Sequence, residues 1–314
     1  MNGQWSYNSN NTGVQASTCT ASGSYSTAMG DGTTASGDYS TSMGRSTAAS
    51  ALYSTAMGRS TAASALYSTA MGYGTDASGY FSTAMGSSTT ASALYSTAMG
   101  DGTIASGSRS TAMGSYTTAS DYASLSIGRY NSVNSTVTAG GSATSFDTDN
   151  AALVIGNGTG SSTKSDAFVV YFNGNATLSG DLTINSDERL KDNIQPLGST
   201  LNKLHQIEGK TYSFKKDEEH TPKIGVLAQE VQAVFPELVT EGGDGILSVN
   251  YQGLVPVLIN AINEQDAKMS EQDAKMSEQE VKMSEQDAKI AALEEMVRFL
   301  AVQQSQTTSS VAAN

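Results

Sequence analysis

Residues 53–72 read YSTAMGRSTAASALYSTAMG, and the phrase that opens this stretch closes it again fourteen residues later. Working outward in both directions, the phrase recurs with its glycine at Gly30, Gly44, Gly58, Gly72, Gly86, Gly100, Gly114 and Gly128. Eight copies without a slip are the mark of a solenoid with one coil per repeat, and argue against a disordered low-complexity linker over residues 21–128. Within Tyr-Ser-Thr-Ala-Met, alternation predicts a strand with Ser and Ala on one face and Tyr, Thr and Met on the other. A coil this short has a narrow interior, which suits Ser26, Ala28 and their equivalents. The larger face, with Tyr25, Tyr39, Tyr53, Tyr67, Phe81, Tyr95 and the methionines that precede the glycines, is left outside. An apolar stripe along a rod predicts self-association, with the Tyr and Met positions toward a trimer axis.

Composition supports a fibre more than a broad globule. Of 314 residues, 31 are Gly and only 15% are charged, and small residues crowd the first half. The net charge of -13 is uneven: residues 1–180 carry 5 basic and 8 acidic groups, residues 181–314 carry 12 and 22. Neither part has the Lys and Arg excess that binding a phosphate backbone requires, so no nucleic-acid partner is expected. Cys19 is the single cysteine, which leaves no intrachain disulfide, and with two histidines the sequence predicts neither a metal site nor a cofactor. Residues 1–10 lack a basic segment followed by an apolar core, and no run approaches 18 apolar residues, so neither a signal peptide nor membrane insertion is expected.

The repeat resembles the heads of trimeric autotransporter adhesins, whose Ser-x-Ala-x-Gly motif followed by alanine matches Ser26, Ala28, Gly30 and Ala35. That resemblance implies a left-handed parallel β-roll of three chains side by side. No counterpart of that family's C-terminal membrane barrel is found.

Residues 1–20 form a lead-in and residues 129–185 a β-rich connector, with strand-like Ala152 to Ile155 and Phe168 to Phe172 followed by Asn-Gly turns at 157–158 and 173–174. Asp147, Asp149 and Asp166 read as solvated loop residues. After Gly180 charges, Leu and Val return. A helix is predicted from Ser199 to Ile207, a strand over Thr211 to Phe214, Ile224 to Leu227 running into a helix that ends before Pro236, and a strand over Ile246 to Tyr251, together a small α/β domain over residues 186–261.

Three phrases here resemble the intramolecular chaperone domain of endosialidases and other phage tail spikes: SDERLKDNI at 186–194, GVLAQEV at 225–231 with FPELV at 235–239, and VNYQGLVPVL at 249–258. The resemblance implies a domain that trimerises, templates folding of the fibre before it and is released by autoproteolysis with a Ser-Lys dyad. Motif for motif, Ser186 is the nucleophile, Lys191 the base, and the bond between Asn185 and Ser186 the cleavage site. The chemistry suits the residue types, since a lysine kept neutral by burial can take the proton of a serine hydroxyl. Spacing alone leaves another reading open: Ser186 followed by Asp187 and Glu188 is also a good helix N-cap. Five residues is not a same-face helical interval, so a continuous helix would hold the two side chains apart. His205 and His220 are assigned no role.

From Ile262 to residue 304 the sequence repeats every seven residues. Position a holds Ile262, Met269, Met276, Met283, Ile290 and Val297; position d holds Gln265, Gln272, Gln279, Gln286, Leu293 and Leu300. Lysines at g (268, 275, 282, 289) and acids at e (266, 273, 280, 287, 294) predict parallel pairing, with Lys275 meeting Glu280 and Lys282 meeting Asp287 of another chain. Residues 305–314 read as a flexible tail.

The whole reads as a mainly β homotrimeric fibre, with a small α/β chaperone domain and a parallel trimeric coiled coil. It is expected in a virion tail fibre, in contact with a host-surface glycan or protein receptor. Alternatives are a bacterial surface adhesin of the same architecture and a fibre whose chaperone stays attached.

Overall fold

A computed structural model describes residues 5–7, 13–16, 18–215 and 219–311. It divides into two compact units, Met1–Asn185 and Ser186–Asn314.

The first unit is a β-solenoid. Five-residue strands from Thr27–Asp31 to Leu125–Arg129 stack in parallel into one sheet, and two-residue strands from Thr20–Ala21 to Thr118–Ala119 stack into a second. Register is strict, with Thr69, Ala70, Met71 and Gly72 facing Thr83, Ala84, Met85 and Gly86. Each coil buries four small side chains between the sheets, such as Ser54, Ala56, Thr61 and Ala63 in one coil. Ser and Ala are therefore inside as expected, and the Thr-x-Ala of the short strand joins them. Thr75 and Ser82 are among the interior hydroxyls without a hydrogen-bond partner, so at those positions side-chain size matters more than polarity.

A glycine stands one residue before the end of each of these five-residue strands because the next coil leaves no room. Gly72 has φ of +122°, and a Cβ there would stand 2.0 Å from the carbonyl oxygen of Gly86. The same approach recurs along the column, which explains the unbroken glycine register.

The aromatic column does not lie in the strand, contrary to the alternation argument. Tyr25, Tyr39, Tyr53, Tyr67, Phe81 and Tyr95 occupy a corner with φ between +55° and +59°. A left-handed conformation costs a bulky residue about 1–2 kcal/mol. Two contacts offset it. The backbone N–H of Tyr39 donates to Ser24 one coil earlier, as that of Tyr53 does to Asp38. The six rings also stack face to face at 4.9–5.1 Å, each such pair contributing about 0.5–1.5 kcal/mol.

The lead-in contributes Trp5–Tyr7 and Val14–Ala16, antiparallel to each other, with Val14–Ala16 then pairing in parallel with the first long strand. At the far end, asparagine side chains stand in for the missing strand of the short-strand sheet. Asn131 accepts from the Thr118 N–H at 2.7 Å and donates to its carbonyl at 2.8 Å. Asn134 accepts from the N–H groups of Ser120 and Asp121. The edge is thereby closed to further pairing. The long-strand sheet continues through Ala151–Asn157, then antiparallel through Asp166–Tyr171 and Ala176–Leu178. Only the 173–174 Asn-Gly makes a tight turn, because the chain runs from Asn157 to Asp166 as a longer loop. Asp166 is an anchor rather than a solvated loop residue, since its carboxylate accepts from the N–H groups of Ser132 and Val133 at 2.9 and 2.8 Å. Asp149 accepts from the Asn173 side chain at 3.4 Å, and Asp147 from the Asp149 N–H at 3.0 Å.

In the second unit, α1 (Leu201–Leu204), α2 (Ala228–Val234) and short hairpins formed by Lys210–Tyr212 with Lys223–Gly225 and Val239–Glu241 with Leu247–Val249 precede α3 (Leu254–Val311). The helix expected from Ser199 is thus a single turn. Val231, Phe235 and Val257 are buried together, with Val226, Leu238 and Val249 packed around them. Each of the last two chaperone-like phrases contributes to this core. The helix α3 begins eight residues before Ile262 and continues through 305–311, where the sequence predicted a flexible tail; residues 312–314 lie outside the described residues. Its seam positions are open, from Ile262 at 57% exposed to Leu300 at 55%.

Candidate functional site

Asp187, Glu188, Arg189 and Leu190 form one tight turn. Glu188–Leu190 is a 3-10 turn capped by Asp187, whose carboxylate accepts from the Arg189 N–H at 2.9 Å and from its guanidinium at 3.0 and 2.7 Å. The Leu190 N–H closes on the Asp187 carbonyl and the Lys191 N–H on that of Glu188. The Arg189 guanidinium, with the Arg189 N–H second, holds the Asp187 carboxyl below the usual carboxylate range; Asp187 in turn raises Arg189. Since Asp187 is the cap, the N-cap role left open for Ser186 is not the one the fold uses.

The backbone is extended at Asp187 (ψ 135°) and again at Lys191 (ψ 148°), so Ser186 and Lys191 flank a single turn rather than lie along a helix. This brings Ser186 and Lys191 together although their spacing is not a helical one. Lys191 Nζ donates to Ser186 Oγ at 2.7 Å. Both residues are exposed. Asn185 lies in an exposed segment without regular structure and is the last residue of the first unit.

A second cluster ties the start of α1 to α3. Thr200 is the N-cap of α1, but its side chain accepts no bond from the N–H groups of the first turn. Glu264 supplies the acceptor instead, taking Thr200 N–H at 2.6 Å, Leu201 N–H at 3.4 Å, Ser199 Oγ at 2.9 Å and Thr200 Oγ1 at 3.2 Å. Asn260 donates to the Gly198 carbonyl at 2.6 Å and to Thr200 Oγ1 at 3.0 Å. The Thr200 N–H, followed by Ser199 and Leu201, holds the Glu264 carboxyl below its usual range against the opposing effect of desolvation. Sequence reading missed both Asp187–Arg189 and this clasp. The former lies inside a quoted motif, whereas Glu264 sits at heptad position c and looks merely solvated.

His205 and His220 are exposed. Among the described residues no three His, Cys, Asp or Glu side chains converge on a metal-sized site, and no helix is long and apolar enough to cross a membrane.

Residues 186–240 match a protein family described as chaperone of endosialidase, starting at Ser186 itself. Residues 21–47, 49–75, 77–103 and 105–131 each match the YadA head domain repeat, two coils per match. Similar curated proteins include the long tail fiber protein Gp37 of Escherichia phage AR1, 39% identical over 97 residues (28% of this chain, 9% of the relative). That of Salmonella phage S16 is 34% identical over 99 residues (29% and 13%). That of Enterobacteria phage K3 is 29% identical over 151 residues (44% and 12%). The chain therefore spans about a tenth of the length of the relatives it matches.

Proposed function

We propose that this chain is part of a trimeric tail fibre whose C-terminal domain templates assembly and then cuts itself free between Asn185 and Ser186. The observation that carries the reading is the 2.7 Å contact from Lys191 Nζ to Ser186 Oγ. It stands at the start of the chaperone-like match. The Gp37 relatives are phage tail-fibre proteins, which favours the virion over a bacterial cell surface. A glycan or protein receptor on the host is the partner such a fibre would contact.

In the proposed reaction neutral Lys191 takes the hydroxyl proton as Ser186 Oγ attacks the Asn185 carbonyl. The peptide C–N bond breaks, Lys191 returns the proton to the leaving nitrogen, and an ester joins Asn185 to Oγ. Water then hydrolyses the ester, giving a carboxylate at Asn185 and a free amino group and hydroxyl at Ser186. Lysine is a base only when neutral, and burial populates that form. The exposure of both side chains in the single chain makes a covering neighbour part of this reading. It also favours a second one, a fibre whose chaperone remains attached.

One experiment separates them. Freshly expressed full-length protein should yield fragments of 185 and 129 residues, seen by gel and intact mass. Ser186→Ala should abolish the cut while trimers still form, and Lys191→Arg should not rescue Lys191→Ala, because guanidinium stays protonated. Wild-type trimers that remain at full length would establish the attached form instead.

A further inference from the structure

The coil has two edges, and its charges are unequally divided between them. Residues 21–131 contain nine charged side chains. Five of them, Asp31, Arg45, Arg59, Asp101 and Arg129, end long strands at the first corner. There Arg45 and Arg59 stand in register on adjacent strands. Asp31 lies 3.7 Å from Arg45 and the Tyr73 ring lies under Arg59.

The second corner carries the six-ring stack and, beside it, Leu52, Leu66, Tyr80 and Leu94. It is uncharged from Leu52 to Tyr95. Leu52 and Leu94 are each 39% exposed and Tyr80 58%. Its one exposed carboxylate, Asp38, accepts from the Ser24 N–H at 2.8 Å. At its far end Arg109 closes the stack, 5.6 Å from the Tyr95 ring and bonded to the Tyr122 hydroxyl at 2.8 Å.

We infer that this second edge is the contact between copies of the chain and lines their common axis, with the charged edge outermost; the inference rests on the trimer proposed above. Two arguments select the occupant. The rings cover one another's faces along the stack, so only their edges point outward, and a sugar has no ring face to stack on between them. A partner that meets every rung must also repeat at the same 4.9–5.1 Å spacing, and a second copy in parallel register does so. On a rotation axis each rung meets its own equivalent. The first corner would bring Arg45 to Arg45 and Arg59 to Arg59 in the middle of the column, a repulsive arrangement, whereas the second brings leucine to leucine at the Leu52, Leu66 and Leu94 rungs and sets like charges together only at its ends, Asp38 and Arg109. This refines the Tyr-and-Met expectation. The strand turns the methionines onto the flat sheet face, half-buried and away from the edge, so the aromatic corner alone lies on the axis.

The test uses full-length protein carrying Cys19→Ser, with one cysteine introduced at Leu52, Leu94 or Asp101, and a short bis-maleimide. Leu52→Cys and Leu94→Cys should each give covalent dimers on a denaturing gel, and Asp101→Cys, on the charged edge, should give at least tenfold fewer. If sedimentation finds trimers but Asp101→Cys links as well as or better than the leucine sites, the axis assignment is overturned. If neither leucine site links within trimers, it is overturned too. A wild-type chain that sediments as a monomer overturns the trimer itself.

Discussion

The interior of the solenoid and the seam of α3 are both built from short repeats, yet Ala70 is fully buried and Met276 is 58% exposed within the same chain. In the solenoid, the surface that covers one repeat belongs to the next repeat of the same chain. Parallel hydrogen bonds, interior alanines and stacked rings are all satisfied fourteen residues away. In α3 the next repeat lies further along the same helix and cannot fold back on the seam. A period of fourteen thus closes on itself within one chain, while a period of seven calls for a second.

The solenoid half of this comparison breaks most easily at its glycines. Gly72→Ala places a methyl group 2.0 Å from the Gly86 oxygen at positive φ, and should cost on the order of 3 kcal/mol, read as a fall in the denaturant midpoint of the fibre unit. Ala70→Leu comes next. Three added carbons in a fully buried site should destabilise by about 1–3 kcal/mol. Thr69→Val, on the outer face, should change stability by less than about 0.5 kcal/mol. Equal tolerance of the two would refute the inside-outside assignment.

The helical half is probed through charge. Lys275 and Lys282 donate at 2.6 Å to Glu271 and Glu278, one turn earlier, while the heptad pattern assigns them interchain partners as well. Replacing both by Glu should weaken trimers at low salt and spare them at about 1 M, where screening is short-ranged, as measured by sedimentation. An effect independent of salt would assign the lysines to other work.

The mildest change concerns Glu264. Its carboxyl is held below the usual range, so its contribution is present above the unfolded value of about 4.3 and is lost as pH falls through the lower folded value. The melting temperature of the second unit should therefore decline as the pH falls below the unfolded value. Glu264→Gln should remove that part of the decline; an unchanged pH profile would show that the clasp does not contribute.

Much of this was legible from spacing. Ser26 and Ala28 could be placed inside because the strand alternates, and the open seam of α3 follows from its heptads. Ser186 and Lys191 were named from their motif, but their meeting was not: it depends on the Asp187–Arg189 turn, and spacing alone argued against it. The Glu264 clasp was invisible because its partners lie more than sixty residues earlier in the chain, where no periodicity connects them.

What the sequence determined by itself is what repeats. A fixed period imposes the same environment on every copy, so one reading of Ser54 or Ala56 holds for the whole column. Tertiary structure decided the corners and the junction. A tyrosine has no local reason to adopt a left-handed backbone. It does so in this chain because its N–H finds a carbonyl and its ring finds another ring one coil away, and those partners exist only once the coils have stacked.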